Sequence, residues 1–359
     1  MSRNTDFFLG ANTPKGFVSF FDELYNPYTD SGTYIIKGGP GTGKSTLMKK
    51  LAERLSEKNI DTESIHCASD PKSLDAVIAR EKGLCVADGT SPHVIEPRFP
   101  GVSENIINLG QFWNEKALQK RREKIISLTV ENSLHHRRCA AYLSAAGKLE
   151  KEATVIAGRY ISEEKAEAFA KRFAARETPR KKKCEPGRRY RRFASAFTPE
   201  GEVFFPESFS ALASRIYALE DRWGQASRLI CEKIGDKAIS NGYDVIFCYC
   251  PLDCTQCEHI IIPEVSVALI SVKKTYSDLP TFSRKIHCDR FMAPQIEQSR
   301  QLFRFNTRLR DELIKEAVRR LSAAKQTHDR LEKEYRQAMD FDALNRFSED
   351  FINKITADI

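Results

Sequence analysis

The chain is written twice, and this repeat limits what it can fold into more than any other feature. Phe8-Leu9-Gly10-Ala11-Asn12-Thr13-Pro14-Lys15-Gly16 recurs 185 residues on as Phe193-Ala194-Ser195-Ala196-Phe197-Thr198-Pro199-Glu200-Gly201. The stretch from Ile60-Asp61 to Cys67 and Asp70 recurs from Tyr243-Asp244 to Cys250 and Asp253, now displaced by 183. That displacement carries Leu84-Cys85-Val86-Ala87 onto Val267-Ala268-Leu269-Ile270. Leu143-Ser144-Ala145-Ala146 recurs as Leu321-Ser322-Ala323-Ala324, displaced by 178, and Phe169 and Phe173 fall on Phe347 and Phe351. Matches in one order with a slowly drifting offset are what a tandem duplication leaves. At 359 residues the chain has room for two ordinary domains. The copies are 1–177 and 192–359, joined by a basic segment, 178–191.

Each copy reads as alternating strands and helices followed by a helical arm. In the first, a short apolar segment precedes a helix over 17–24. A strand over 33–37 leads through a glycine-rich turn to a helix over 45–58. A second strand ends near Cys67, and Asp70-Pro71 with Ser73 starts a short capped helix. A third strand, 84–87, ends at Asp88. Alternation of this kind predicts an α/β fold with a parallel sheet. Helical spacing with dense charge predicts arms over about 111–177 and 293–359.

Gly38-Gly39-Pro40-Gly41-Thr42-Gly43-Lys44-Ser45 fits G-x-x-x-x-G-K-[ST] without departure, between a β-branched strand and a helix. Glycines let the backbone curl until successive amides face one anion, and the helix N-terminus adds partial positive charge. Lys44 is expected to reach the β- and γ-phosphates of a nucleotide, ATP or GTP, Ser45 to face Mg²⁺, and Thr46 to lie beside the α-phosphate. The fold class is therefore α/β of the P-loop NTPase type, duplicated.

Asp88, at a strand end, is the expected second holder of Mg²⁺. Gly89 follows it where many vigorous ATPases carry a Glu, so hydrolysis is expected to be slow. Asp70 either orients water or an acceptor hydroxyl, or caps a helix. Thr90, His93 and Glu96 follow in a Pro-rich loop on the γ-phosphate side. In the second copy the displacement of 183 puts Asp221-Arg222-Trp223-Gly224-Gln225-Ala226-Ser227-Arg228 at the phosphate loop and Ser271 at Asp88. The lysine is absent, Trp223 obstructs the curl, and no Mg-nucleotide is expected there.

These segments, with His66-Cys67-Ala68-Ser69-Asp70-Pro71-Lys72-Ser73-Leu74-Asp75 and the run from Val86 to Pro97, resemble a poorly characterised bacterial family of duplicated P-loop ATPase or nucleotide-binding proteins. The resemblance spans the chain and is strongest over 7–97. It implies ATP, Mg²⁺ and a cytoplasmic bacterial setting, with no settled substrate. In that family the second copy often keeps a phosphate loop; its loss here argues against alternating sites.

The net charge is +8, and nine Lys or Arg against two Glu between Arg176 and Arg192 carry +7 of it. Arg180, Lys181, Lys182, Lys183, Arg188, Arg189, Arg191 and Arg192 form either a solvated linker or a patch for nucleic acid or an acidic protein. Lys116, Lys120, Arg121, Arg122 and Lys124 lie on the first arm, as a solvated face or as a lid over nucleotide. Cys248, Cys250, Cys254 and Cys257 are spaced as metal ligands, or as buried thiols on a strand. No run of 18 apolar residues occurs, so no membrane span is expected. The first residues show no apolar leader, and ten cysteines without one point to a reducing, cytoplasmic setting.

The expected function is a slow Mg-dependent ATPase with one active half, its nucleotide state coupled to the arms. The alternatives are a phosphotransferase acting on a nucleoside or other small molecule, with Asp70 as base, and a nucleotide-gated adaptor on nucleic acid.

Overall fold

The computed structural model describes every residue except Met1, Pro27, Thr29, Asp30, Ser31, Lys183, Lys274, Ser277 and Asp358. Its front half opens with β1 (Asn4–Phe7) and a hairpin of β2 (Gly10–Thr13) and β3 (Gly16–Ser19). Then come β4 (Gly32–Lys37), α1 (Lys44–Glu57), β5 (Thr62–Cys67), β6 (Asp70–Ala79), β7 (Leu84–Asp88) and β8 (Glu104–Asn108). The first arm is α2 (Glu115–Gln119), α3 (Arg122–Gly158) and α4 (Glu163–Glu177).

The rear half repeats this order: β9 (Arg189–Arg192), β10 (Ser195–Thr198), β11 (Gly201–Phe204), α5 (Glu207–Leu212), β12 (Arg215–Glu220), α6 (Ala226–Ser240), β13 (Val245–Cys250), β14 (Asp253–Ile262), β15 (Val267–Ser271) and β16 (Arg284–His287). Its arm is α7 (Arg300–Arg336) and α8 (Phe341–Ile355). Equivalent elements are 185 residues apart at β1 and β9, 183 at β5 and β13, and 178 at α4 and α8. The sheets match too, in order β1-β5-β6-β7-β4-β8 and β9-β13-β14-β15-β12-β16.

Both sheets are mixed rather than parallel. β6 and β14 run antiparallel to both neighbours, while the other pairings are parallel. Only Ala68 and Ser69 separate β5 from β6. A connection that short can only reverse the chain, since a parallel crossover needs a dozen residues or more. The expected capped helix at Asp70 and Ser73 is therefore the start of β6. Its apolar run Leu74, Ala76, Val77, Ile78 and Ala79 is buried, and pairing inside the sheet overrides the cap-like polar residues. The expected helix over 17–24 is β3 with a 3-10 turn at Phe21–Glu23. Gly16, at φ +91°, lets the chain turn back there, and Thr13 Oγ1 donates to its carbonyl at 2.8 Å.

The arms are exchanged between the halves. α3 and α7, each 37 residues long, lie antiparallel, joined by Glu150–Arg310 at 2.7 Å and Arg121–Glu334 at 2.9 Å. At 1.5 Å per residue each spans about 55 Å, enough to carry the chain off its own sheet and onto the other. α4 therefore packs on the rear half, where Phe173 meets Tyr217 edge-on at 4.9 Å. α8 packs on the front half, where Phe351 meets Tyr34 edge-on at 5.0 Å. Leu344, Phe351, Ile352 and Ile355 complete one core with Leu47, Leu51 and Leu55 of α1. The second core joins the opposite face of the front sheet to rear-half residues through Phe8, Phe20 and Phe193.

The C-terminal end of the basic segment is not a solvated linker. Arg189–Arg192 is the edge strand β9. Arg189 pairs with Glu232 at 2.9 Å and with Asp236, and Arg191 pairs with Asp22 at 2.8 Å and with Glu23. Arg192, only 1% exposed, pairs with Glu63 of the front half. Burial pushes the Glu63 carboxyl up, but the Arg192 guanidinium outweighs it and holds the group below the usual carboxylate range. Lys181 is tied to Glu264. Arg180, Lys182 and Arg188 are exposed, and Lys183 lies outside the described residues. No described helix is long and apolar enough to cross a membrane.

Candidate functional site

β4 is Gly-Thr-Tyr-Ile-Ile-Lys, with Ile35 and Ile36 fully buried, and it delivers the chain to the glycine loop inside the sheet. Gly41 and Gly43 have φ of +67° and +83°, which a β-carbon disfavours, and α1 begins at Lys44. Among the described residues the amides of Gly41, Gly43, Lys44 and Ser45 donate to no protein acceptor. The loop is internally braced, because Thr42 Oγ1 and Lys44 Nζ both donate to the Gly39 carbonyl at 2.8 Å. Ser45 Oγ accepts from the Leu74 amide at 2.9 Å, and Thr46 is exposed.

β7 lies beside β4 in parallel, with Asp88 opposite Ile36. Asp88 Oδ2 is thus 3.6 Å from Lys44 Nζ. Its Oδ1 accepts from the Thr90 amide at 2.9 Å and the Thr90 hydroxyl at 2.6 Å. Lys37 Nζ holds the loop beyond, donating to the carbonyls of Gly89 and Ile95 at 3.0 and 2.8 Å and pairing with Glu96 at 2.7 Å. Asp70 stands apart. It accepts from Ser73 Oγ at 3.1 Å and faces Lys325 of α7 at 3.5 Å.

Sequence reasoning gave Asp75 no role and placed His93 in a loop on the γ-phosphate side. Asp75, on β6, is 5% exposed, and His93 is 6% exposed. Ligand atoms of Asp75, Asp88 and His93 all lie within 4.8 Å of one another, the one such trio among the described residues. Burial, and then the charge of Asp88, push the Asp75 carboxyl up to about 8. Burial pulls the His93 imidazole down to about 4, so the ring is neutral. The same displacement that aligns the copies pairs Asp75 with another acid, Glu258, and that was the available clue.

The far arm closes the outside of the glycine loop. A β-carbon on Gly39 would lie 2.7 Å from Tyr335, and one on Gly41 would lie 3.0 Å from the Glu332 carbonyl. One on Gly43 would lie 2.8 Å from Leu344 of α8. Of the cations on the first arm, Arg121 and Lys124 reach Glu334 at 2.9 and 2.6 Å, whereas Lys116, Lys120 and Arg122 are exposed.

In the rear half the equivalent loop is filled by the chain itself. Asp221 takes the Trp223 amide on Oδ1 at 3.0 Å and the Ser227 amide on Oδ2 at 2.7 Å. Trp223 is buried edge-on against Phe303. Arg228, at the position of Ser45, pairs with Glu150 at 2.5 Å and with Glu258 at 3.5 Å.

Cys248, Cys250, Cys254 and Cys257 do not converge. Cys248 and Cys257 belong to the large shared core and Cys250 to a smaller cluster under α3 and α7. All ten cysteines are free thiols, and burial raises Cys250 and Cys257 and pushes Cys254 up to about 11.

Comparison of the chain with models of protein families, with curated proteins and with solved structures yields no match.

Proposed function

We propose that the front half binds ATP with Mg²⁺ and turns it over slowly, and that the bound state is relayed through the exchanged arms. One relationship carries this reading: Lys44, at the first turn of α1, faces Asp88, at the end of the neighbouring strand, across 3.6 Å. A polyphosphate needs amides and an ammonium on one side and an acid for its cation on the other. The residues fit Mg²⁺. Ser45 and Asp88 would hold it, and the buried carboxylate of Asp75 beside them favours a cation in that place. Mg²⁺ would supply charge neutralisation between phosphate oxygens. Lys44 would leave Asp88 and the Gly39 carbonyl to grip phosphate, and Thr90 would keep Asp88 oriented.

The relay draws on the contacts of Gly39 and Gly41 with Tyr335, Glu332 and Arg336 of α7. A loop that curls around phosphate changes the surface on which α7 ends, and α7 is packed along α3, whose residue Glu150 holds Arg228 of the rear half.

A second reading, phosphoryl transfer to a small acceptor, draws on a cavity of about 330 Å³ lined by His93, Tyr25, Asp22, Glu96 and Arg98. Asp70 does not line it, so Asp70 is a poor base for an acceptor held there. The deciding experiment measures ATP affinity and turnover for the wild type and Lys44→Ala. The variant should lose affinity at least tenfold; equal affinity overturns the reading. Turnover that rises steeply with one small acceptor would favour transfer over hydrolysis.

A further inference from the structure

The rear half shows what its own buried acid requires. Glu258 of β14 is 2% exposed, and Lys273 Nζ lies 2.8 Å from its carboxylate, with Arg228 at 3.5 Å. At the repeat offset of 183, Glu258 corresponds to Asp75, Lys273 to Thr90 and Arg228 to Ser45. The front half keeps the buried acid and adds a second, Asp88, but has exchanged both cations for hydroxyls. Its remaining ammonium, Lys44, faces Asp88 at 3.6 Å.

His93 is a second, independent observation. It is stacked flat on Phe21, with centroids 4.3 Å apart and planes at 12°, so its orientation is set. Neither ring nitrogen has a hydrogen-bond partner among the described residues. Nε2 lies 3.9 Å from Asp75 Oδ1. A buried imidazole with two unpaired nitrogens costs free energy that a ligand on them would return.

We propose that Asp75, Asp88 and His93 form a divalent metal site that fills without nucleotide and prefers a first-row transition ion of the Mn²⁺ type. It shares Asp88 with the site of a cation carried in by polyphosphate through Ser45, but its three donors are assembled before any phosphate arrives. Two carboxylates alone suit Mg²⁺; an imidazole in the set moves preference toward Mn²⁺, Fe²⁺ or Zn²⁺. Three protein donors leave coordination positions open, and one of the three, His93, also lines a cavity.

The probe is Mn²⁺, titrated into the full chain without nucleotide and followed by the loss of the free-ion electron paramagnetic resonance signal. One Mn²⁺ should bind per chain, with Mg²⁺ competing only at a hundredfold or greater excess. His93→Gln should weaken Mn²⁺ at least tenfold while changing Mg²⁺ affinity less than twofold. Thr90→Lys, which copies the ammonium of the rear half, should abolish binding without lowering the melting temperature, and so covers the case in which His93→Gln misfolds. Lys44→Ala should keep or tighten Mn²⁺ binding, which separates this site from the nucleotide reading. No bound Mn²⁺ in the wild type, or equal affinity in the wild type and Thr90→Lys, overturns the proposal.

Discussion

Phe8 and Phe193, 185 residues apart in the chain, exchange both of their backbone hydrogen bonds at 2.9 Å. They are equivalent residues of the two copies, so this bridge lies on the pseudo-twofold axis relating the halves. Around it, Asn12 Nδ2 donates to the Phe197 carbonyl at 3.0 Å, and Phe20 stacks on Phe193 at 4.7 Å. The halves therefore meet through main chain and core, and the exchanged arms close the arrangement at both ends.

The exchange predicts that stability crosses the chain. Phe351 lies in the last helix but packs on Tyr34 of the front sheet. Phe351→Ala should cost about 3–5 kcal/mol, the usual price of emptying a buried aromatic site. Hydrogen exchange should rise in β4 and α1 and stay unchanged in β12 and α6. Phe173→Ala should do the reverse.

Gly41→Ala tests the contact between loop and arm. The residue sits at φ +67°, and a β-carbon would press on the Glu332 carbonyl and on Arg336. The left-handed conformation alone costs about 1–2 kcal/mol for a residue with a β-carbon. Protection over 330–339 should fall, together with at least a tenfold loss of ATP affinity. Normal protection of that segment would disconnect the arm from the loop.

Asp221→Ala opens the rear loop. Two amides lose their acceptor, and the melting curve should register a loss of about 1–2 kcal/mol. Nucleotide binding should not appear in the rear half, because Arg228 and Lys273 still occupy the cation positions around Glu258. Placing the change in a Lys44→Ala background makes any binding at the rear visible by calorimetry.

Acid should destabilise the rear half through His259. Burial pulls its imidazole from 6.5 down to about 3, with Glu258 opposing. The unfolded chain takes up this proton first, so stability is full above pH 6.5 and falls as the pH drops toward 3. The slope approaches about 1.4 kcal/mol per pH unit inside that window. His259→Gln should flatten it in denaturant titrations at pH 7, 5.5 and 4.5. Ser271 and Glu258 face the same ring, and Glu258, held down at about 2 by Lys273 and Arg228 against its burial, adds its own loss only below pH 4.5.

The repeat, its three offsets, the glycine loop between β4 and α1, and Asp88 at the end of β7 were all legible in the order of residues. Each depends on local spacing: glycines that permit positive φ, β-branched runs that extend, and one pattern recurring at a measurable distance. Which half an arm covers was not legible. It depends on where a 37-residue helix delivers the chain in space, and the buried positions of α4 and α8 correspond at the repeat offset, as Phe173 and Phe351 do. The sense of β6 was hidden because Asp70, Pro71 and Ser73 look like a helix start, and only pairing on both sides settles it.

The charges divide in the same way. Composition alone placed +7 of the net charge in one segment. Only folding brought Glu23, Glu63, Glu232 and Asp236 to meet it, since carboxylates far away in the chain cannot be counted as neighbours from sequence. Asp75 and His93 belong to the same class, on separate elements and joined only when β6 pairs with β7. Local chemistry is written residue by residue, whereas burial and charge pairing belong to the packed whole, because both depend on distances that the chain acquires only when its sheets and arms close together.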